Sequence, residues 1–112
     1  MRTIAAWIGV LVAATMLGQT KSGNAENGKK LFVKFGCYTC HGYQGQGGAA
    51  GARLAPRPIA LAALMAYVRH PSGSMPPFTD KVVTNAELTD IHAFLASVPA
   101  PPAVKDIPLL NQ

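Results

Sequence analysis

Cys37-Tyr38-Thr39-Cys40-His41 decides how the rest of the chain is read. Two cysteines three apart, with histidine directly after the second, have the spacing for covalent c-type haem attachment. Residues three apart on a helical turn share a face. Both thiols can therefore reach the two vinyl groups on one side of a single porphyrin. His41 comes next, and one of its ring nitrogens can coordinate the iron from that same side. Other uses of the pair fit less well. A redox CxxC belongs in a βαβ setting, and no strand pattern occurs along the chain. A disulfide across two intervening residues closes a tiny loop and stabilises little. Structural zinc needs further clustered ligands, and Cys37 and Cys40 are the only cysteines.

The chain has 112 residues, enough for one small domain. Its first segment reads as something other than that domain. Met1-Arg2-Thr3 is short and basic, and Ile4 to Leu17 is a mostly apolar run without a charge. Gly23-Asn24-Ala25 then offers small residues at the two positions a signal peptidase inspects. Residues 1–25 are expected to be a secretory signal cleaved after Ala25. The apolar run falls short of the ~20 residues a spanning helix needs, and no cysteine near the cleavage point could carry a lipid. Removing 25 of 112 residues leaves 87. A chain that small buries a limited core and usually carries a staple. A covalently held haem, large, flat and apolar, would serve as one.

Charge excludes one class of function. The formal net charge is +5; Arg2 and Lys21 lie in the expected signal, which leaves +3 on the remainder. No basic run exists. Lys29, Lys30 and Lys34 read as one solvated helix face, not as a nucleic-acid surface.

Working outward from the motif, residues 26–36 have helical periodicity, with Leu31 and Phe35 four apart and Gly28 and Phe32 four apart. A glycine inside a helix suggests that another element crosses close to it. Residues 42–52 form a glycine-rich loop. With no strand before it and no Lys-Ser/Thr after it, it is not a phosphate-binding loop, and it suits the edge of a flat cofactor. Pro56 and Pro58 stiffen its exit. Ile59 to Arg69 reads as a helix with Pro58 in its first turn and Leu61, Leu64 and Val68 at helical spacing. Pro71 ends it. The last helix is N-capped by Thr84, with Glu87 completing a capping box. Leu88, Ile91, Leu95 and Val98 form its apolar stripe, with Phe94 beside it.

The loop Ser72-Gly73-Ser74-Met75-Pro76-Pro77-Phe78 supplies the candidate sixth ligand of the iron, Met75. A thioether is a soft donor, and His/Met ligation raises the reduction potential. Met75 lies in a loop braced by Pro76 and Pro77, 34 positions after His41, enough chain to pass round a haem edge. Met65 sits within a helical pattern and reads as core filler. His70 and His92 are rival ligands that read as surface histidines. Tyr67 could hydrogen-bond Met75 or a propionate, or be a core tyrosine with its hydroxyl satisfied. Arg53 could pair with a propionate or stand solvated in its loop.

At this point the chain resembles the class I c-type cytochromes. The resemblance runs from about Glu26 to Val98. It rests on Gly28 and Phe32, on Cys37-Tyr38-Thr39-Cys40-His41-Gly42, on Met75-Pro76-Pro77-Phe78, and on Leu88, Asp90, Ile91, Phe94 and Leu95. It implies an all-α fold: three to four helices wrapped around one covalently bound haem, the N- and C-terminal helices crossing. Gly28 would let Phe94 pack against the first helix. The family often has Gly-Pro-x-Leu after the glycine-rich loop, where a proline carbonyl accepts from the haem-ligating histidine. Here the stretch is Gly51-Ala52-Arg53-Leu54-Ala55-Pro56, which leaves Pro56 or another carbonyl for that task.

The resulting expectation has three parts: a signal peptide, 1–25; a cytochrome c domain, 26–98; and a proline-rich tail, 99–112. Haem c would be held covalently by Cys37 and Cys40, and its iron ligated by His41 and Met75. The protein would be a periplasmic single-electron carrier, not an enzyme. Its partners would be a redox-protein donor and acceptor, a periplasmic dehydrogenase and a respiratory acceptor, without nucleic acid and without stable membrane insertion after signal removal. The rival reading is a fixed haem c subunit of a periplasmic dehydrogenase complex. Pro99-Ala100-Pro101-Pro102 is a stiff spacer, and the apolar Ile107 to Leu110 could dock on a partner. A third reading is a haem-based sensor with a labile sixth position.

Overall fold

A computed structural model describes residues 22–112; residues 1–21, which hold nearly all of the expected signal, lie outside the described residues. Among the described residues four α-helices follow one another: α1 Ala25–Lys34, α2 Tyr38–His41, α3 Leu61–Arg69 and α4 Asn85–Ser97. Two 3-10 turns, Val104–Asp106 and Pro108–Leu110, occupy the tail. No strand occurs among the described residues, so the all-α expectation holds. None of the described helices is long and apolar enough to cross a membrane.

The crossing of α1 on α4 builds the core. A side chain on Gly28 would run into the backbone of α4 at Asp90 and Ile91, so only glycine lets the two helices meet there. One turn further on, Phe32 packs on Phe94 with ring centroids 5.5 Å apart and planes tilted by 57°, a geometry that suits the ring quadrupoles. Gly28 thus accommodates the α4 backbone itself, and the ring of Phe94 rests on Phe32. Leu31, Ala55, Leu64, Val83, Leu88, Ile91 and Leu95 complete the buried cluster, with Met65 and Val68 packed against it.

Polar contacts fix the register of this crossing. Asn24 caps α1, its side chain accepting from the Asn27 amide at 2.9 Å. The Asp90 carboxylate on α4 accepts from the Asn24 amide at 2.7 Å and from Asn27 Nδ2 at 2.8 Å. Helix α1 therefore starts at Ala25, with its cap at a residue the sequence reading placed ahead of the domain. On its exposed face, Lys30 pairs with Glu26 one turn away at 3.1 Å, worth only a few tenths of a kcal/mol, on the order of 0.3–0.5.

Helix α4 begins as expected. Glu87 N donates to Thr84 Oγ1 at 3.2 Å, and Thr84 N donates to Glu87 Oε2 at 2.8 Å, a complete capping box. Helix α3 begins later than expected. Its cap is Ala60, extended at φ −51°, ψ 143°, so Pro58 lies ahead of the helix and not in its first turn. The Ile59 carbonyl explains the delay. It accepts from His92 Nε2 of α4 at 2.9 Å, which holds the 58–60 segment extended against α4.

Candidate haem attachment site

The turn after α1 carries the chain straight into the motif. Cys37 N donates to Phe32 O at 3.1 Å, and Cys37 is the N-cap of the single-turn α2. His41 N donates to Cys37 O at 3.0 Å, and Gly42 N to Tyr38 O at 2.9 Å, so the whole motif is one helical turn. Cys37 and Cys40 are both free thiols on it. Cys37 packs against the core, and its burial pushes the thiol pKa up, so the sulfur stays protonated at neutral pH. Cys40 is exposed.

His41 is oriented by the backbone. Its Nδ1 lies 2.7 Å from the Ala52 carbonyl. A carbonyl only accepts, so Nδ1 carries a proton, and in the neutral ring Nε2 is the nitrogen that keeps its lone pair. A neutral imidazole with Nδ1–H engaged by a carbonyl is the kind of ligand that haem iron takes, and such a bond raises ligand basicity. The glycine-rich loop brings Ala52 there by folding back on itself. Gly47 N donates to His41 O at 2.8 Å, and Leu54 N and Ala55 N both donate to Gly45 O at 2.8 and 2.9 Å. Gly51 sits tight against the motif: a Cβ there would come within 2.7 Å of Cys40 O and 3.0 Å of His41 Nδ1. Two thiols on one turn, an imidazole with one nitrogen engaged and the other free, and a loop backbone pressed against both together fit a covalently held haem.

The partner of His41 is thus Ala52, not Pro56. Ala52 stands where the resembling family places its proline. The role belongs to a main-chain carbonyl, so alanine fills it as well as proline does.

Met75 is half-buried in the loop between α3 and α4. Met65 packs against the core cluster and Met75 does not, as expected for filler and a loop residue respectively. His70 is exposed at the C-cap of α3. His92 is half-buried, with a ring nitrogen committed to Ile59. Tyr67 bonds neither Met75 nor the core: its hydroxyl lies 2.9 Å from Ser72 Oγ, and 43 % of the residue is exposed. The Ser72 hydrogen bond lowers the Tyr67 pKa from the usual phenol value. Arg53 is exposed and donates from Nε to Gln46 O at 3.4 Å, across its own loop. Two residues make contacts that have no signature in the sequence. Ala52 acts through its backbone and has no side-chain signature. Arg69 lies at the end of α3, and its fork reaches Phe78 O and Asn85 Oδ1, both at 2.9 Å.

The all-helical fold and the CxxCH turn define a c-type cytochrome domain. The sequence profile of the family described as cytochrome C oxidase, cbb3-type, subunit III matches residues 23–95, and the chain belongs to that family of c-type cytochrome domains. No curated protein and no solved structure matches the chain. The protein accordingly carries a covalently bound haem c with its iron and serves in haem-based electron transfer between redox partners.

Proposed function

We propose that this chain is an exported single-electron carrier in which Cys37 and Cys40 hold the haem covalently and His41 and Met75 ligate its iron. The observation that carries the reading is the His41 Nδ1–Ala52 carbonyl bond beside the two thiols. When bound, the haem supplies a one-electron ferric/ferrous couple. The remaining chemistry belongs to the chain. Cys37 and Cys40, on one helical turn, would tether the porphyrin through α2. The Ala52 carbonyl holds the His41 tautomer and ring plane, which tunes ligand basicity. The Met75 thioether, a soft donor, would hold the iron as its second protein ligand and would favour the reduced state. With His41 and Met75 both on the iron, no position would be left for a substrate, so the reading is a carrier and not an enzyme.

Export to the periplasm follows from the sequence of residues 1–25, where a basic start precedes an uncharged apolar run. The contacts of Asn24 with Asn27 and Asp90, and of Gly23 against Thr89, favour a cleavage point ahead of Gly23 over one after Ala25. The cytochrome domain then ends near Val98, and 99–112 is a tail. Donor and acceptor are read as a periplasmic dehydrogenase and a respiratory acceptor. A second reading, as a fixed haem subunit of a larger redox complex, has one observation in its favour. The tail exposes Val104, Leu109 and Leu110, by 66 %, 79 % and 62 %, beyond the 23–95 match. The family description, that of an oxidase subunit, points the same way.

The test is mass spectrometry of the exported protein. Haem mass on the peptide containing Cys37 and Cys40, lost in a Cys37→Ser/Cys40→Ser double variant, is the predicted result. Haem retained by that variant, or a chain found only in the cytoplasm, would refute the reading. Deletion of residues 103–112 separates carrier from subunit: a free carrier keeps its partner kinetics, and a docked subunit loses co-purification with its complex.

A further inference from the structure

We propose that Arg69 is a positioning residue that clamps the Met75 loop closed; the inference rests on the reading of Met75 as an axial ligand. Arg69 is the last residue of α3. Its terminal nitrogens diverge: Nη1 donates to the Phe78 carbonyl and Nη2 to Asn85 Oδ1, each at 2.9 Å. Phe78 closes the loop that carries Met75, and Asn85 is the first residue of α4. One guanidinium therefore ties together the end of α3, the end of the Met75 loop and the start of α4.

The neighbouring contacts define what this tie does. Phe78 N donates to Val68 O at 3.0 Å, so the last loop residue is held to the end of α3 through both its amide and its carbonyl. The start of the loop is pinned by the 2.9 Å contact between Tyr67 and Ser72. The last turn of α3 thus grips the loop on both sides of Met75. Between Met75 and Phe78 stand only Pro76 and Pro77, whose locked φ angles leave a short, stiff run. Fixing Phe78 consequently limits where the Met75 sulfur can go. The guanidinium suits this duty because its planar fork presents divergent donors in fixed geometry, which an ammonium on a flexible stem cannot match. The bond to Phe78 O is charge-assisted and part-buried, so water competes with it poorly.

If the loop must open for the sulfur to leave the iron, the fraction of open molecules sets how well an outside ligand binds there. Imidazole is the probe, titrated into the ferric holoprotein and followed optically. Arg69→Gln is expected to tighten apparent imidazole binding at least tenfold while the imidazole-free protein keeps its far-red sulfur–iron band. Asn85→Ala, which removes one arm, should give a smaller tightening, and Arg69→Lys should not restore wild-type behaviour. Asn27→Ala breaks a remote α1–α4 contact and should lower the unfolding midpoint without changing imidazole affinity by more than twofold. Hydrogen exchange at the Phe78 amide gives a readout that does not depend on ligation, and it should quicken at least tenfold in Arg69→Gln. Unchanged imidazole affinity in both Arg69→Gln and Asn85→Ala, or equal tightening in Asn27→Ala, would overturn the clamp. A wild-type protein without the far-red band would instead refute Met75 ligation, and the Phe78 exchange rate would then decide the clamp alone. If Arg69→Gln yields no holoprotein, Asn85→Ala and Arg69→Lys carry the test by the same criteria.

Discussion

Gly28→Ala is the sharpest perturbation of the fold, because helix propensity and packing predict opposite signs. Alanine is the better helix former by about 1 kcal/mol, so an isolated α1 would gain. In the protein, the added Cβ would overlap the carbonyl of Asp90 and crowd the Ile91 amide. These are backbone atoms of α4 and cannot rotate aside. The helices must part, and overpacking of this kind costs about 1–3 kcal/mol. Parting also weakens the Phe32–Phe94 contact, worth about 0.5–1.5 kcal/mol, and the two bonds to the Asp90 carboxylate, each about 1.5–3 kcal/mol when fully lost. With partial loss of these contacts, the cost exceeds the propensity gain by about 2–3 kcal/mol. For a domain of this size, that lowers Tm by roughly 10–20 °C, taking about 4–8 °C per kcal/mol. Denaturant and thermal unfolding of the ferric holoprotein, followed by far-UV circular dichroism, measures it. Lys29→Ala, at the adjacent exposed position, should stay within about 0.5 kcal/mol of wild type. A Gly28→Ala protein as stable as wild type, or more so, would refute the close crossing of α1 on α4.

Further outcomes bear on the other elements. Thr84→Ala removes the α4 capping box and should cost about 1 kcal/mol in the same unfolding assay, with Thr84→Ser close to neutral. Ser72→Ala should raise the Tyr67 pKa back toward the usual phenol value, because the Ser72 bond is what lowers it; ultraviolet titration of the phenolate reads this, and an unchanged midpoint contradicts the contact. Gly51→Ala pushes against Cys40 O and His41 Nδ1 and should loosen the bond to Ala52. A less basic imidazole stabilises ferric iron less, so the potential should rise, by up to about 60 mV for a tenfold change in the redox equilibrium; spectroelectrochemistry checks the direction, and a fall in potential would contradict it.

The parts of this molecule legible in its sequence are those encoded by side-chain identity and spacing. The CxxCH turn, the Thr84/Glu87 box and the Leu88/Ile91/Leu95 stripe each have a pattern in which the residue types are the mechanism. Gly28 could be read as a crossing point because an interior helical glycine has few other uses. Which atoms of α4 it meets, the backbone at Asp90 and Ile91, depends on a register that no local pattern carries. Backbone roles were less visible. The Ala52 carbonyl serves His41 whatever its side chain, and so Pro56 looked as good a candidate. The start of α3 has no local signature, because a tertiary bond from His92 to the Ile59 carbonyl outweighs the preference of Pro58 for a first helical turn. Asn24 has no distinct cap signature, because small residues around a signal boundary and polar residues at a helix start draw on the same alphabet. Arg69 gave no signal either, since a basic residue in a last helical turn is ordinary and its two acceptors lie nine and sixteen positions further along.

The central claim is that Met75 completes the iron coordination begun by His41. The most direct measurement is the far-red absorption of the oxidised protein, wild type against Met75→Ala. Met75 ligation predicts a sulfur–iron charge-transfer band in the wild type and none in the variant, with the covalent haem content of the two equal. A band that survives in Met75→Ala, or a wild-type protein that never shows one, would contradict it.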